Sequence, residues 1–516
     1  MKRIIYLFSF LAFIGSSLIS CDFEDKGSPI LEPMTDIIID TTGIPLSLEA
    51  TRLEDLVVNP NVSREGVSDD VFKYEWRMTL LPGSDFTKYK VVGTEKSLSY
   101  NIDLIPDANY YSLWYRVTDT TTGLMSSIVW RVVVSASSGQ GLVVADSQDG
   151  VNSDLSVIQD TLFTTNWVQK GTTTKLPTTY KRNIFSQTNG KKFTGVIHSM
   201  FTQRLYRERR YTNYIHGASV NNCFRINTLD YSMVLEGREM FYDPDIVLNI
   251  NHYFLNGPQS TSGSAWIVNS GKISNRVNEA STFMYYRKFS VEVPGDYIAN
   301  KHIAVHPTLV SEGVFYDEVH GKFYKIGTSL NTKVAAAEVG SGSSPFNGRD
   351  LPGYTVLGGG VASPEVRFVL KKDSYYGVFT FTQNSATTPR RMLDISNAPD
   401  IANAVNFVFP LDEAVIYYAT PSKVYSIRIP DGGAVTYTEL YTSPEPITKL
   451  EMLRMTGYVN VPYHERCLLA ITYNGSEGKI TALPIPASGL GLGIVDLNRK
   501  ATFGGFKRIS SVAVTD

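Results

Sequence analysis

Two histidines, His302 and His306, stand four residues apart and could be interpreted as ligands of one metal ion. That spacing suits zinc only on a helix, because four residues of a strand span roughly 13 Å, too far for one ion. His306 precedes Pro307 and so belongs to an extended context. The spacing therefore favours no metal site here, and we expect the chain to carry no metal and no cofactor.

Acidic residues gather at two turns. Asp146, Asp149 and Asp154 are predicted to occupy the first hairpin turn, and Asp243 and Asp245 flank a proline. Neither group follows the calcium-loop pattern of alternating acids with a central glycine and a terminal glutamate. Turn formation accounts for both groups.

No catalytic motif stands out. Gly358-Gly359-Gly360 is followed by neither a GK[ST] sequence nor a helical pattern, so it does not predict a phosphate loop. The chain has no G-x-S-x-G elbow, and no Ser–His–Asp triad can be assembled from sequence. Carboxylates and His–Tyr pairs, which propeller glycosidases and polysaccharide lyases use, are too numerous to choose among. The catalytic residues stay unknown, and enzymatic activity is not favoured.

The densest charge cluster, residues 203–211, contains four arginines that could bind an anionic glycan or a protein partner. These are Arg204, Arg207, Arg209 and Arg210. A solvated strand face would have the same composition, and Glu208 inside the cluster favours that alternative.

The composition excludes a nucleic-acid partner. The chain has 48 basic and 50 acidic side chains. Residues 1–20 contain two of the basic ones, Lys2 and Arg3, and no acidic one, so residues 21–516 have 46 basic and 50 acidic side chains. Nucleic-acid binding needs a basic face. Apolar residues make up 43% of the chain, enough for large cores, and charged residues only 19%, too few for a disordered chain.

Three cysteines are present. Cys223 and Cys467 could form one disulfide or remain as two buried thiols, since a chain of this size needs no covalent staple. Neither lies in a C-x-x-C spacing, so they predict no metal site.

The N-terminus has the layout of a secretory signal: a positive start at Lys2 and Arg3, then an apolar run too short and too serine-rich for a comfortable membrane span. Leu18-Ile19-Ser20-Cys21 resembles a bacterial lipobox. The resemblance implies cleavage between Ser20 and Cys21 and lipidation of Cys21, which would anchor the chain to a membrane. Residues 1–20 are the predicted signal peptide.

Residues 21–34 are predicted to form an acidic tether, similar to surface-export signals of Bacteroidota lipoproteins, although an ordinary linker would have the same composition. Residues 35–136 alternate with period two between turn-rich pieces, which predicts a β-sandwich acting as a spacer or docking module. Trp76, Trp114 and Trp130 are expected in its core rather than on a carbohydrate platform. Residues 137–141 are a small-residue linker.

The remainder, residues 142–516, contains a repeated pair of strands. The second strands begin near positions 155, 272, 322, 375, 423 and 479, and a further copy near 221 fills the first gap. Seven units of about fifty residues predict a seven-bladed β-propeller, with a large β-sandwich or a β-helix as alternatives. The strand at residues 141–145 is expected to close the ring against the end of the chain. Insertions at 166–211, 256–264 and 336–352 are expected to build binding surfaces.

Tyr74-Glu75-Trp76 and Trp114-Tyr115-Arg116-Val117-Thr118-Asp119 are similar to paired strands of a PKD or immunoglobulin-like module. Together with the lipobox and the long repeat region, they make the chain resemble the PKD-like lipoproteins of Bacteroidota. The resemblance implies a surface-exposed outer-membrane lipoprotein that assists nutrient uptake through a TonB-dependent transporter, by binding a glycan, a peptide or the transporter complex. It transfers no catalytic residue. A propeller-type polysaccharide hydrolase or lyase, and a purely structural subunit of the transporter complex, remain as alternatives.

Overall fold

The computed structural model describes most of the chain between Met34 and Thr515. The described ranges are 34–83, 87–107, 109–136, 139–169, 171–207, 210–256, 264–277, 288–305, 312–327, 335–341, 345–383, 387–411, 413–455 and 461–515. The chain divides into two compact units, Met1–Ser135 and Ala136–Asp516. Both units consist mainly of β-strands, so the prediction of an all-β chain is confirmed.

The first unit is a β-sandwich. Its strands are β1 (Ile38–Asp40), β2 (Ser47–Thr51), β3 (Asp55–Val58), β4 (Asn61–Ser63), β5 (Phe72–Thr79), β6 (Tyr89–Gly93), β7 (Leu98–Asn101), β8 (Tyr111–Asp119) and β9 (Met125–Ser135). The main sheet has the order β2-β9-β8-β5-β6, and β3-β7 and β1-β4 form the smaller sheets. Only β2 and β9, among these described pairs, run parallel.

Alternation along β5, β8 and β9 decides which aromatic side chains enter the sandwich core. Trp76 and Trp130 are completely buried, and the ring of Tyr115 stacks on Trp76 with centroids 4.0 Å apart. The prediction is wrong for Trp114, which lies on the opposite face of β8, with the Arg77 guanidinium 4.8 Å from its ring centroid. Successive residues of a strand point to opposite faces, and Tyr115 takes the inward position.

The second unit contains seven sheets in its described part, each a blade. Blade 1 begins with β10 (Gly141–Ser147), β11 (Asn152–Gln159), β12 (Thr179–Lys181), the helix α1 (Ile184–Asn189) and β13 (Phe193–Thr194). Blade 2 has β14 (Ser199–Arg207), β15 (Arg210–Ala218), β16 (Cys223–Asn227) and β17 (Met233–Glu236). Blade 3 has β18 (Ile250–Asn256), β19 (Ser264–Asn269) and β20 (Lys272–Val277), and blade 4 has β21 (Ile303–Ala304), β22 (Gly313–Asp317), β23 (Lys322–Ile326) and β24 (Ala337–Glu338).

The remaining blades follow the same antiparallel order. Blade 5 has β25 (Thr355–Ala362), β26 (Glu365–Lys372), β27 (Tyr375–Thr382) and β28 (Pro389–Asp394). Blade 6 has β29 (Asn406–Val408), β30 (Val415–Ala419), β31 (Lys423–Arg428) and β32 (Thr436–Thr442). Blade 7 has β33 (Ile447–Met452), β34 (Cys467–Tyr473), β35 (Gly478–Pro484) and β36 (Ala501–Phe506), and the chain ends with β37 (Arg508–Thr515). Short 3-10 helices occupy Asp69–Val71, Gly237–Met240, Ile401–Asn403, Ala487–Gly489 and Leu497–Arg499.

The ring is closed by the last strand, which pairs with β10 and completes blade 1 in the order β12-β11-β10-β37. Leu142 lies opposite Val514 in this antiparallel ladder, so the two ends of the propeller share one sheet. The prediction of a sandwich followed by a seven-bladed propeller closed at residues 141–145 is confirmed. The expected insertions are partly regular structure, because residues 166–211 include β12, α1, β13 and β14, and β24 falls within 336–352.

Each blade buries both faces against its neighbours, which explains the long apolar runs of the middle strands. The described core falls into seven clusters, and each joins two consecutive blades. Phe323 of blade 4, for example, packs edge-on against Phe368 and Phe381 of blade 5. A blade cannot bury these surfaces alone, so the stability of the ring is shared among all its interfaces.

Candidate functional site

The first strands of the blades surround the centre of the ring, and they enclose a cavity of about 260 Å³. Five of these strands line it: β14, β25, β29, β33 and β37. Its wall is formed mainly by aliphatic and aromatic side chains, among them Met200, Phe201, Phe407, Phe409 and Met452. Most of the surface that these residues expose in the cavity is nevertheless polar. A concave site that combines polar groups with aliphatic and aromatic side chains can bind a small ligand.

Three consecutive glycines shape one side of the cavity. A Cβ on Gly358 would lie 3.0 Å from Cβ of Phe407, and one on Gly360 would lie 2.6 Å from Cβ of Phe409. Side chains at these positions would force β25 away from β29. The glycines therefore serve close packing of two first strands, a role that sequence reasoning missed although three glycines within a strand pattern signal such an approach.

The polar groups of the cavity are mostly engaged. The Asn406 side chain bridges blades 6 and 7, because its Nδ2 donates to the carbonyl of Leu450 at 2.7 Å and its Oδ1 accepts from the Leu450 nitrogen at 2.8 Å. Glu451 pairs with Lys449, whose Nζ lies 2.7 Å from Oε1. Arg454 donates from Nη2 to the carbonyl of Phe409 at 2.9 Å. These contacts fix the wall of the cavity.

Three histidines stand where the first strands of blades 2 to 4 begin, and we call them the histidine group: His198, His252 and His302. The Nε2 atom of His198 lies 3.1 Å from the carbonyl oxygen of Ile250, which ties it to the strand that carries His252. The imidazole of His252 stacks on Phe254 with ring centroids 5.0 Å apart. The group therefore presents imidazoles from three neighbouring blades.

The histidine group is held neutral. Burial, together with the smaller effects of His198, His302 and the lysines Lys449 and Lys301, lowers the pKa of His252 to about 3. Burial likewise lowers the pKa of His302 to about 4, and it lowers the pKa of His198. Neutral imidazoles can donate or accept hydrogen bonds, which suits polar ligands. In the described part of the chain, no three His, Cys, Asp or Glu side chains are grouped to hold a metal ion.

A His–Tyr pair lies behind the cavity wall. Nδ1 of His216 is 2.7 Å from the Tyr253 hydroxyl, and both side chains are buried. Phe201, which lines the cavity, stacks on the His216 imidazole with centroids 5.0 Å apart. The pair is thus covered by an aromatic ring and does not face the cavity as a lyase pair would.

The structure separates the residues that the sequence singled out. His302 directly precedes β21, whereas His306 lies outside the described residues. Arg204 and Arg207 belong to β14 and Arg210 begins β15, so the predicted basic patch falls on one hairpin. Arg209 is outside the described residues, and the patch stays a prediction.

The acidic turn residues divide into two kinds. Asp149 forms the β10–β11 turn, because its Oδ1 accepts from the nitrogens of Val151 at 2.8 Å and Asn152 at 2.7 Å. Asp243 likewise accepts from the nitrogen of Asp245 at 3.0 Å. Asp146 and Asp154, however, do not lie in the turn: they are opposite each other in β10 and β11. The turn explanation is therefore wrong for these two carboxylates.

Cys223 and Cys467 are both buried free thiols, so the disulfide alternative is wrong. They belong to β16 and β34, in blades 2 and 7. Cys21 and Ser20 lie outside the described residues. No helix among the residues that the structure covers is long and apolar enough to cross a membrane.

Comparison with known proteins supports the sandwich and leaves the function open. The model of the PKD-like family matches residues 21–196. No curated protein sequence matches the chain. Solved structures similar to the chain include TolB from Acinetobacter baumannii, at 9% identity, covering 80% of this chain and 80% of TolB with a TM-score of 0.36. Another is apo AztD from Citrobacter koseri, at 10% identity, covering 72% of this chain and 84% of AztD with a TM-score of 0.34. The order of the strands in the chain's own sheets therefore defines the fold.

Proposed function

We propose that this chain is a lipoprotein of the outer membrane, anchored through Cys21 and exposed at the cell surface, whose propeller binds a ligand for a nutrient-uptake system. The ligand is a glycan or a peptide, and the protein assists a TonB-dependent transporter without catalysing a reaction. The observation that carries the binding role is the cavity at the centre of the ring, which is lined by strands of five blades and combines polar surface with aromatic side chains.

The cavity suits a ligand that offers both an apolar face and polar edges. Phe201, Phe407 and Phe409 supply aromatic surface, which packs against the apolar face of a sugar or against a peptide side chain. The histidine group adds neutral imidazoles at the start of β14, which lines the cavity, and on β18 and before β21, which do not. The Arg204–Arg210 hairpin remains a second candidate surface for an anionic part of the ligand.

A binding screen tests the proposal. Glycan and peptide panels are offered to the chain from residue 22 onward, and the products are analysed after long incubation. We expect retention of one ligand class without turnover. Turnover of any substrate would refute the non-catalytic role.

A cavity-filling variant locates the site. Val512 lines the cavity from β37, so Val512→Trp should abolish binding of the retained ligand. Val91→Trp is the matched control, because Val91 is an exposed residue of the sandwich strand β6. Undiminished binding by Val512→Trp would place the binding site away from the centre of the ring.

Membrane fractionation tests the anchor. Cys21→Ala removes the thiol to which the lipid would be attached, so the protein should leave the membrane fraction. Ser17→Ala, in the same segment, should stay with the membrane. Continued membrane retention of Cys21→Ala would contradict lipidation at this residue.

A further inference from the structure

A second cavity, of about 200 Å³, lies in blade 1 beside the junction of the chain's first and last propeller strands, and we call it the closure cleft. Its wall comes from β10, β11, the segment after β12 and the connection between β36 and β37. Apart from one glycine, every lining residue is polar or charged. This cleft shares no lining residue with the cavity at the ring centre, and, unlike that cavity, it is lined by no aliphatic or aromatic side chain.

One of its carboxylates is committed to structure. Asp154 is buried, and its Oδ1 accepts hydrogen bonds from the nitrogens of Leu155 at 2.9 Å and Ser186 at 3.1 Å. Its Oδ2 accepts from the Ser186 hydroxyl. Asp154 thereby fixes the start of α1 and leaves little capacity for a ligand.

The other carboxylate keeps a free oxygen. Oδ2 of Asp146 accepts from the main-chain nitrogen of Lys507 at 2.7 Å, while Oδ1 accepts no hydrogen bond from any residue that the structure describes. Burial raises the pKa of Asp146, and the facing Asp154 raises it further, against the opposing influence of Arg182 and Lys192. A cation bound at Asp146 would relieve that cost of burial.

Arg182 provides the complementary group. Its Nη2 donates to the carbonyl of Gly504 at 2.7 Å, and its guanidinium stacks on Phe506 at 4.0 Å and on Tyr180 at 4.3 Å. Its Nη1 is buried and has no hydrogen-bond partner within the described ranges. Because this guanidinium is held in place and lines the cleft, it supplies a fixed positive charge that can pair with a ligand carboxylate.

We propose that the closure cleft binds a free α-amino acid, whose carboxylate accepts from Arg182 and whose ammonium group donates to Asp146. The two charges of such a ligand match the two unused charges of the cleft, and the amides of Gln148 and Asn183 line the same wall. A neutral sugar is a poorer match, because no aromatic ring belongs to the lining. Lys192 and Lys507 give the wall an excess of positive charge, which favours amino acids with an acidic side chain.

Calorimetric titration of the purified full chain tests the proposal. The probes are the standard amino acids, each alone, together with N-acetyl-L-alanine, L-alanine amide and glucose. We expect at least one free amino acid to bind, and N-acetyl-L-alanine, which lacks the ammonium, and L-alanine amide, which lacks the carboxylate, to bind at least about tenfold more weakly. Binding of no amino acid, or stronger binding of glucose, would overturn the proposal.

Two variants place the binding in the cleft. Asp146→Asn keeps an acceptor for the Lys507 nitrogen but removes the charge, and Arg182→Gln keeps a donor toward Gly504; each should weaken amino-acid binding about tenfold or more. Asp373→Asn and Arg238→Gln make the same changes at exposed positions and should bind like the unmodified chain. Circular dichroism checks folding, and Asp146→Asn decides the test if Arg182→Gln does not fold. Unchanged affinity in Asp146→Asn would refute the proposal, whereas results at Val512→Trp bear only on the central cavity.

Discussion

The main-chain nitrogen of Lys507 donates to Oδ2 of Asp146 at 2.7 Å, although the two residues stand 361 positions apart in the chain. This bond continues the ladder between β37 and β10, in which Leu142 faces Val514. The ring is thus held shut by hydrogen bonds of one sheet and by the apolar side chains packed on it.

Removal of the last strand should open the propeller. Deleting residues 508–516 takes away the strand that completes blade 1 and the Val514 side chain from the core between blades 7 and 1. We expect the propeller to lose its cooperative unfolding transition. Urea titration monitored by circular dichroism measures that transition. Deleting Asp516 alone is the control and should leave the transition unchanged. A truncated chain that unfolds like the complete one would show that closure by β37 is dispensable.

Gly360→Ala should destabilise the propeller. The added methyl group would meet Cβ of Phe409 at 2.6 Å, so β25 and β29 must separate, at a cost of about 1–3 kcal/mol in the free energy of unfolding. Gly432→Ala is the matched control, because a Cβ there meets nothing within 4 Å. Urea unfolding curves compare the two variants. Equal stability of both would contradict close packing at Gly360.

Trp76→Ala should destabilise the sandwich by about 3–5 kcal/mol, since it removes a fully buried ring. The indole also donates from Nε1 to the carbonyl of Glu95 at 2.8 Å, a bond that alanine cannot make. Trp114→Ala should cost only on the order of 1 kcal/mol, because Trp114 lies on the outer face under Arg77. Guanidinium unfolding measures both. A larger loss of stability in Trp114→Ala than in Trp76→Ala would show that Trp114 belongs to the core.

The histidine group should make the protein less stable in acid. The pKa of His252 falls from its usual value of 6.5 to about 3 on folding, so the unfolded chain binds more protons between these values. Above about pH 6.5 the imidazole is neutral in both the folded and the unfolded chain and costs no stability. As the pH falls toward about 3, the free energy of unfolding decreases, because the unfolded chain takes up a proton that the folded chain does not. His252→Gln should therefore show a smaller drop in the free energy of unfolding between about pH 7.5 and about pH 5.5.

His320→Gln is the control of opposite sign. A hydrogen bond to Asp317 raises the pKa of His320, so this histidine stabilises the fold at low pH and loses that effect as the pH rises. Removal of His320 should therefore increase the fall in the free energy of unfolding between about pH 7.5 and about pH 5.5. A similar change in both variants would show that the pH dependence has another source.

Thiol chemistry should find two unreactive cysteines. Burial raises the pKa of the Cys223 and Cys467 thiols to about 12, so neither forms a reactive thiolate near neutral pH. In the chain from residue 22 onward, Ellman's reagent should detect no thiol in the folded protein and both thiols in urea without reductant. A chain with no reactive thiol in urea would contain a disulfide, contrary to the structure.

Much of the fold could be predicted from sequence because the middle strands of each blade are buried on both faces. Predicted second strands near 272, 322 and 375 begin in the structure at Lys272, Lys322 and Tyr375. Two of the first strands were harder because they are short: β21 spans two residues and β29 three. Their pairing is imposed by the ring.

The candidate sites could not be predicted, because each depends on residues brought together from distant blades. Phe201, Phe409 and Val512 meet at one cavity from β14, the segment after β29 and β37. Asp146 could be identified as an acid near a turn, but Arg182 comes near it only through the pairing of β11 with β12, and the bond from Lys507 follows only from ring closure. The triple glycine was correctly excluded as a phosphate loop, and its packing role required the position of Phe409.

The strand that closes the ring, β37, is synthesised after every other strand of the propeller. Until residue 515 has been made, β10 remains an edge strand whose main-chain groups lack a partner, and such an edge can pair with another chain. A copy shortened near its end would thus offer β10 to the β37 strand of an intact neighbour, in the same register. Synthesis of β37 is what separates a ring closed within one chain from exchange of strands between copies.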